Sequence, residues 1–377
     1  HKQTNNNFLT MATFGTPAPS ASNKPSQIAP EDGVVPEAGT DSTSSLVWSP
    51  AQNQNYLVSG NWDGGVRCWE AGATGQSFQS GQQPVPAAAA RALAKVTHEN
   101  NAPVLDVCFS ANGSTVFSVG ADKAVRMWQL GQTPPNNIAQ QIGVHDGPIK
   151  SVGFIPSSNL VVSGGWDKKL KFWDTRSPQP AGELIMDDRV YDLDVRGRLM
   201  VAAIGNRTMM IYDVGGSAPT PVNKKESPLK YQTRCVRCFP DETGFAVGSI
   251  EGRVGIQYVQ KPPGKDHFAF KCHRDGNNVY SVNSMAFQNT YGTFATTGSD
   301  GVVTFWDKDN KQRLKAFPAM SQSVPCSAFN SAGNLFAYAV CYDWNAGATR
   351  ANPSSPGGIY VHNTPDDEVK PKLKKSR

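Results

Sequence analysis

Long apolar runs are missing from this 377-residue chain. With no stretch of about 18 apolar residues, it carries no candidate membrane-spanning helix, and no membrane is expected among its partners. Histidine is scarce, at six residues, and the seven cysteines are scattered and odd in number. No glycine-rich loop leads into Lys-Ser or Lys-Thr, and no second CxxC or paired histidine lies near Cys235 and Cys238 in RCVRC. Neither a nucleotide cradle nor a metal or other cofactor is therefore expected. Charge is also sparse, at 18% of residues with a formal net charge of +5. The last nine residues, VKPKLKKSR, carry five positive charges, so the remaining body is nearly neutral. That excludes a chain which coats nucleic acid by bulk charge. The opening HKQTNNNFLT lacks an apolar signal core, and unpaired thiols suit a reducing compartment, so cytosol or nucleus is expected.

What is present is turn chemistry: 35 glycines and 27 prolines beside a hydrophobic fraction of 38%. That is enough apolar surface to offset chain entropy, and too much Gly and Pro for a helical protein. At roughly 150 residues per domain the length allows two or three domains, although a single propeller also runs this long. Residues 1–40 are rich in Asn, Ser, Thr, Pro and Ala and are expected to be largely disordered, with the stretch near Pro36 a candidate extra strand. Residues 71–94 read as a surface insertion. Residues 366–377 read as a basic tail, serving either solubility or localisation and nucleic-acid contact.

Self-comparison decides the fold. SGNWDGGVRCWE (59–70), SVGADKAVRMWQ (118–129), SGGWDKKLKFWD (163–174) and TTGSDGVVTFWD (296–307) share one template, and weaker copies lie at 202–213 and 247–258. Each closes on an aromatic residue: Trp69, Trp128, Trp173, Tyr212, Tyr258 and Trp306. A short apolar strand followed by turn residues precedes each copy, and there are seven such strands, the last near Pro325. This density of strands resembles the WD-repeat β-propeller, so an all-β, seven-bladed propeller over residues 41–365 is expected.

Three copies tempt a catalytic reading: His98, Ser118 and Asp122; His145, Ser163 and Asp167; His273, Thr296 and Asp300. A hydrolase needs one such site, whereas this set recurs at the same blade position without an oxyanion hole or nucleophile elbow. A buried hydrogen-bond network that includes the strand tryptophan is the expected role. Cys235 and Cys238 lie on an expected strand, where residues three apart face opposite sides. The paired carboxylates Asp187-Asp188 and Asp366-Asp367 fall in loops or tail. No enzyme is expected.

The turns of a propeller's templates gather on one face. Across the copies, the residue after the turn's anchor reads Gly64, Lys123, Lys168, Arg207, Arg253 and Gly301. The residue before it reads Trp62, Ala121, Trp166, Gly205, Glu251 and Ser299. Polar turns are ordinary, but tryptophan beside cation in one turn is a binding signature. Aligning the innermost strands sets Thr43, Val104, Ile149, Val190, Arg234, Val282 and Val324 in register, with Arg234 the one charge. An arginine there needs an anion or water. Together with Arg253 it suits an acidic side chain or phosphate, so an acidic peptide or phosphate-bearing ligand is expected across this face.

The strings SGGWDKKLKFWDTRSP, SPLKYQTRCVRCF, GSIEGRVGIQY, FKCHRD, GSDGVVTFWDK and FAYAVCYDW resemble the WD-repeat mRNA export factor family of the nuclear pore. The mitotic checkpoint WD-repeat proteins share LKYQTRC, SIEGRV and FKCHR, while WDTRSP and YDW fit the export factors better. The resemblance implies a non-enzymatic scaffold, one propeller in a heterodimer, that binds the GLEBS motif of a GLFG-repeat nucleoporin across the top face. It implies location in the nucleus at the nuclear pore complex, and RNA contact shared with the nucleoporin. The family's arginines correspond to Arg234 and Arg253, and its tryptophans to Trp62 and Trp166. A checkpoint scaffold binding GLEBS-like segments of kinetochore kinases is the alternative, and direct phosphopeptide recognition is a further one.

Overall fold

The computed structural model describes residues 28–29, 32–52, 54–72, 90–177, 179–350 and 357–372. Their strands form seven four-stranded antiparallel sheets and one two-stranded hairpin, Arg274–Asp275 with Asn278–Val279. The innermost strands are Thr43–Trp48, Val104–Phe109, Ile149–Ile155, Val190–Arg196, Thr233–Cys238, Val282–Phe287 and Ser327–Phe329. Each packs on the next, and the seventh packs on the first, so the sheets close into a ring of seven blades. This is the expected all-β seven-bladed WD propeller.

Position within the blade explains the sequence of each strand. Second strands are covered on both faces, and Leu199–Ile204, Gly244–Ser249 and Leu335–Val340 are buried at every residue. Fourth strands face solvent, and Thr220–Glu226 is exposed almost throughout. The core lies between blades as a series of layers. Ile155, Leu170 and Phe172 of blade 3, for example, meet Val190, Leu193 and Met200 of blade 4. Trp69, Phe245, Phe294 and Phe336 are among the side chains fully withdrawn from water, each worth about 2 kcal/mol of burial. Close approach fixes some glycines: a Cβ on Gly143, in the outermost strand of blade 2, would lie 2.2 Å from the ring of Trp173 in blade 3.

Two boundaries differ from the sequence expectations, and one strand lies where it was expected. Near Pro36, Gly33–Val34 pairs with Gly358–Asn363 and supplies the fourth strand of blade 7. The ring is thereby closed by chain from both ends. Pro36 O accepts from Trp69 Nε1 at 2.7 Å, which ties this strand to blade 1 as well. A strand of two residues is too short to leave a periodic signal. The segment read as an insertion is ordered at its far edge, because Ala90–Thr97 is the outermost strand of blade 1. Its alanine-rich run has no alternation to reveal it, and residues 73–89 lie outside the described residues. The segment read as a tail begins with a short helix, Asp366–Val369, whose Val369 is buried against blade 6. Lys372 Nζ donates to Leu314 O at 3.3 Å. No helix among the described residues is long and apolar enough to cross a membrane.

The two ends meet at His362. Its Nδ1 lies 2.6 Å from Asp32 Oδ1 and its Nε2 lies 2.9 Å from Glu368 Oε2. Tyr338 donates its hydroxyl to Asp32 Oδ2. A buried imidazole thus joins the entering strand to the leaving helix.

Candidate functional site

The histidine-containing sets are structural. In blade 3, Trp173 Nε1 donates to Ser163 Oγ at 2.7 Å, and Ser163 Oγ lies 2.8 Å from His145 Nε2. His145 Nδ1 is 2.9 Å from Asp167 Oδ2. Burial pushes the His145 imidazole below its ordinary value despite Asp167, so the ring is neutral. Tryptophan then donates to serine, serine to His145 Nε2, and His145 Nδ1 to the aspartate, leaving no nucleophile free. Blade 6 repeats this with Trp306, Thr296, His273 and Asp300. Blade 2 departs from it: Trp128 Nε1 donates to Gln132 O instead, and His98 Nδ1, 3.2 Å from Asp122, lacks hydrogen-bond geometry.

Cys235 and Cys238 are buried thiols. Cys235 Sγ points to Val282 O of blade 6, while Cys238 Sγ points to Asp194 O of blade 4. Burial pushes the Cys235 thiol up to about 12. No cluster of three or more His, Cys, Asp or Glu residues suited to a metal occurs among the described residues.

One face of the ring carries the starts of the innermost strands and the turns between second and third strands, since Thr43 pairs with Asn61 and Val190 with Ile204. Each of six turns places a residue in the left-handed region: Gly64, Lys123, Lys168, Arg207, Gly252 and Gly301, with φ from 61° to 77°, and in blade 4 Asn206 joins Arg207 there at 58°. The sequence comparison put Arg253 in this series; the structure puts Gly252 there. Arg253 is the first residue of its strand and pairs with Ser249. Ile250, not Glu251, accordingly stands where blades 1 and 3 have Trp62 and Trp166, and it is 42% exposed.

The innermost strands correct the alignment of Arg234 in the same way. Six blades have a bulge at the second residue, where register jumps between Thr43/Ser45, Val104/Asp106, Ile149/Ser151, Val190/Asp192, Thr233/Cys235 and Val282/Ser284. Arg234 is the bulged residue, and buried Thr233 takes the paired position. Its counterparts are Ser44, Leu105, Lys150, Tyr191 and Asn283, which together rim the channel mouth. Arg234 therefore replaces no core residue, and Lys150 is a second cation in the same ring. Threonine at 233 hid the register, because most blades have valine or isoleucine there.

The sequence-selected residues differ in how engaged they are. Arg234 is exposed and makes one long contact, 3.5 Å from Nη2 to Asp343 O. Arg253 Nε lies 3.6 Å from Glu251 Oε2. Thr233, Ser249 and Arg253 stand abreast on consecutive strands, which sets Arg253 about 10 Å from the Arg234 backbone, within reach of two long side chains. Arg207 pairs with Glu226 and donates to Leu229 O. Lys168 lies 3.9 Å from Asp188, and Lys123 is exposed with no ion pair among the described residues. Trp166 is 43% exposed, with the Arg189 guanidinium 5.8 Å from its ring. Trp62 has a structural partner that the sequence did not reveal. It stacks on Trp344 with centroids 4.5 Å apart, which holds the long blade 7 loop over this face. Asp343 of that loop accepts from Asn283 Nδ2 at 2.8 Å and from Ser299 Oγ.

The pattern of the WD domain, G-beta repeat family matches residues 37–70, 92–129, 137–174 and 264–307. Protein RAE1 of Arabidopsis thaliana is 43% identical over 367 residues, 96% of this chain and 97% of that one. The Poly(A)+ RNA export protein of Schizosaccharomyces pombe is 39% identical over 375 residues, 97% and 100% of the two chains. The mRNA export factor of Danio rerio is 40% identical over 360 residues, covering 92% of each.

Proposed function

This chain belongs to the mRNA export factor family, and from that premise we propose that it is a non-catalytic scaffold of mRNA export at the nuclear pore. On this reading the channel-mouth face holds the GLEBS motif of a GLFG-repeat nucleoporin, and the joint surface contacts RNA. The observation that carries the reading is Arg234. It is an exposed guanidinium on a strand bulge, held by one long backbone contact, with Arg253 two strands away. Such a pair is free to make charge-assisted hydrogen bonds to glutamates of a docked peptide. Trp166 of blade 3 and Ile250 of blade 5 supply exposed apolar surface on the same face. A non-catalytic role is supported by the triads, whose donors and acceptors are spent on one another in blades 3 and 6.

The test is fluorescence anisotropy of a labelled synthetic GLEBS peptide against the full chain. Arg234→Glu and Arg253→Glu are expected to abolish binding while circular dichroism and melting temperature stay unchanged. Both variants binding like the unmodified protein would sink this reading. For RNA, affinity of the peptide-bound protein for a single-stranded oligonucleotide is expected to fall linearly with log salt. A flat dependence would remove RNA from the proposal.

A further inference from the structure

Lys150 is a cation of the channel mouth that sequence alignment passed over. It is the extra residue of the blade 3 bulge, between Ile149, paired with Gly165, and Ser151, paired with Gly164. Arg234 holds the same place in blade 5. Between them, on the blade 4 strand that packs against both neighbours, Tyr191 occupies the bulge. The bulge itself asks for no charge, because Ser44, Leu105 and Asn283 fill it elsewhere.

Lys150 is half-buried, and among the described residues its ammonium has no hydrogen bond and no ion pair. The nearby channel carboxylates are committed to other donors. Asp106 accepts from Ser45 Oγ at 2.7 Å, Val152 N at 2.9 Å and Ser151 Oγ at 3.0 Å. Asp192 accepts from Arg237 Nη1 at 2.7 Å and Val236 N at 2.8 Å. Holding an unpaired ammonium in a partly desolvated site costs stability, and blade 2 shows that leucine would avoid the cost.

We propose that Lys150 and Arg234 are the two ends of one anion-binding arc that takes an acidic peptide by two separate carboxylates, with the Tyr191 ring between them. The proposal rests on the reading that this face binds an acidic peptide, and it adds a second charge requirement to that ligand. A single glutamate satisfies Arg234 alone; a ligand with two acidic residues suitably spaced satisfies both cations and gains selectivity over singly charged segments.

The test uses the full chain and the synthetic GLEBS peptide, read by fluorescence anisotropy at two salt concentrations. Lys150→Met is expected to weaken binding about tenfold and flatten the salt dependence, and Lys150→Arg to restore both. Melting temperature should not fall in Lys150→Met, because leucine is accepted at the equivalent bulge. Peptides with single Glu→Gln changes should include one whose loss is not additive with Lys150→Met and another whose loss is not additive with Arg234→Met. If Arg234→Glu abolishes binding while Lys150→Met binds like the unmodified protein, the arc is refuted and the peptide reading survives. If the unmodified protein does not bind the peptide, both are refuted. If Lys150→Met weakens binding of a single-stranded RNA oligonucleotide and leaves the peptide unaffected, the occupant is RNA and the proposal is overturned.

Discussion

Raising the pH above neutral should unfasten the junction of the two chain ends before it disturbs the rest of the ring. The group responsible is His362, whose relative exposure is 5%. Burial opposes its charged form, but the hydrogen bonds and charges of Asp32 and Glu368 overcome burial and raise it from 6.5 to about 9. A histidine raised on folding contributes stability that is fully present below its unfolded value near 6.5 and is lost as pH rises through 9. At 1.36 kcal/mol per unit, the full contribution is about 3 kcal/mol, of which about 2.5 disappears between pH 7 and 9.5. Because His362 holds Asp32 from the entering strand and Glu368 from the leaving helix, the loss should be local. Hydrogen exchange, corrected for the intrinsic pH dependence, should show protection at Gly33–Val34 and in the 366–370 segment falling by roughly 50-fold over that range. The second strand of blade 4, Leu199–Ile204, should hold its protection. His362→Gln should start low at pH 7 and stay flat. A parallel response of both proteins, or a fall spread evenly over all blades, would refute the reasoning.

Ser163→Ala strands both Trp173 Nε1 and His145 Nε2, and should cost about 2–4 kcal/mol in urea unfolding. Ser118→Ala should cost about half as much, because Trp128 already donates to Gln132 O; equal costs would show that the blade 3 tetrad is not a unit. Trp62→Ala and Trp344→Ala should each loosen the blade 7 loop and lose the near-ultraviolet signal of a stacked indole pair. In a double-mutant cycle their coupling should be about 1 kcal/mol, and additivity would deny the stack a stabilising role. None of the seven cysteines should react quickly with a disulfide reagent at pH 8 in the folded protein. Burial pushes Cys235 up to about 12 and holds Cys108 well above its ordinary value, so one fast thiol would contradict the packing described.

The ring was legible because its signals are periodic. Six copies of a turn followed by an aromatic residue, each preceded by an apolar strand, leave little besides a propeller, and the fate of His145 followed from its recurrence at His98 and His273. What the sequence concealed shares one cause: it is set by pairing, which has no local signature. A strand was expected near Pro36, but its bounds and its blade were not, because they are set by the open edge of Gly358–Asn363 some 325 positions away. Trp62 read as a binding residue alone, because its stacking partner, Trp344, comes from the far end of the chain.

The same cause moved Arg234 by one residue. A bulge adds a residue without changing the composition of the strand, so alignment by apolar residues slid Arg234 into a paired position that Thr233 occupies. The correction matters chemically. A charge in the paired position would sit against the core and would have to be neutralised from within, whereas a charge on the bulge is delivered to the channel mouth. Bulges at six consecutive blades thus give this fold a ring of positions that lie outside the paired register of the strands. Of those six, two carry cations, and they flank a tyrosine rather than lying scattered. A purely structural account has no use for that placement, since serine, leucine and asparagine serve the same bulge in the other blades. A ligand with negative charge at two points does.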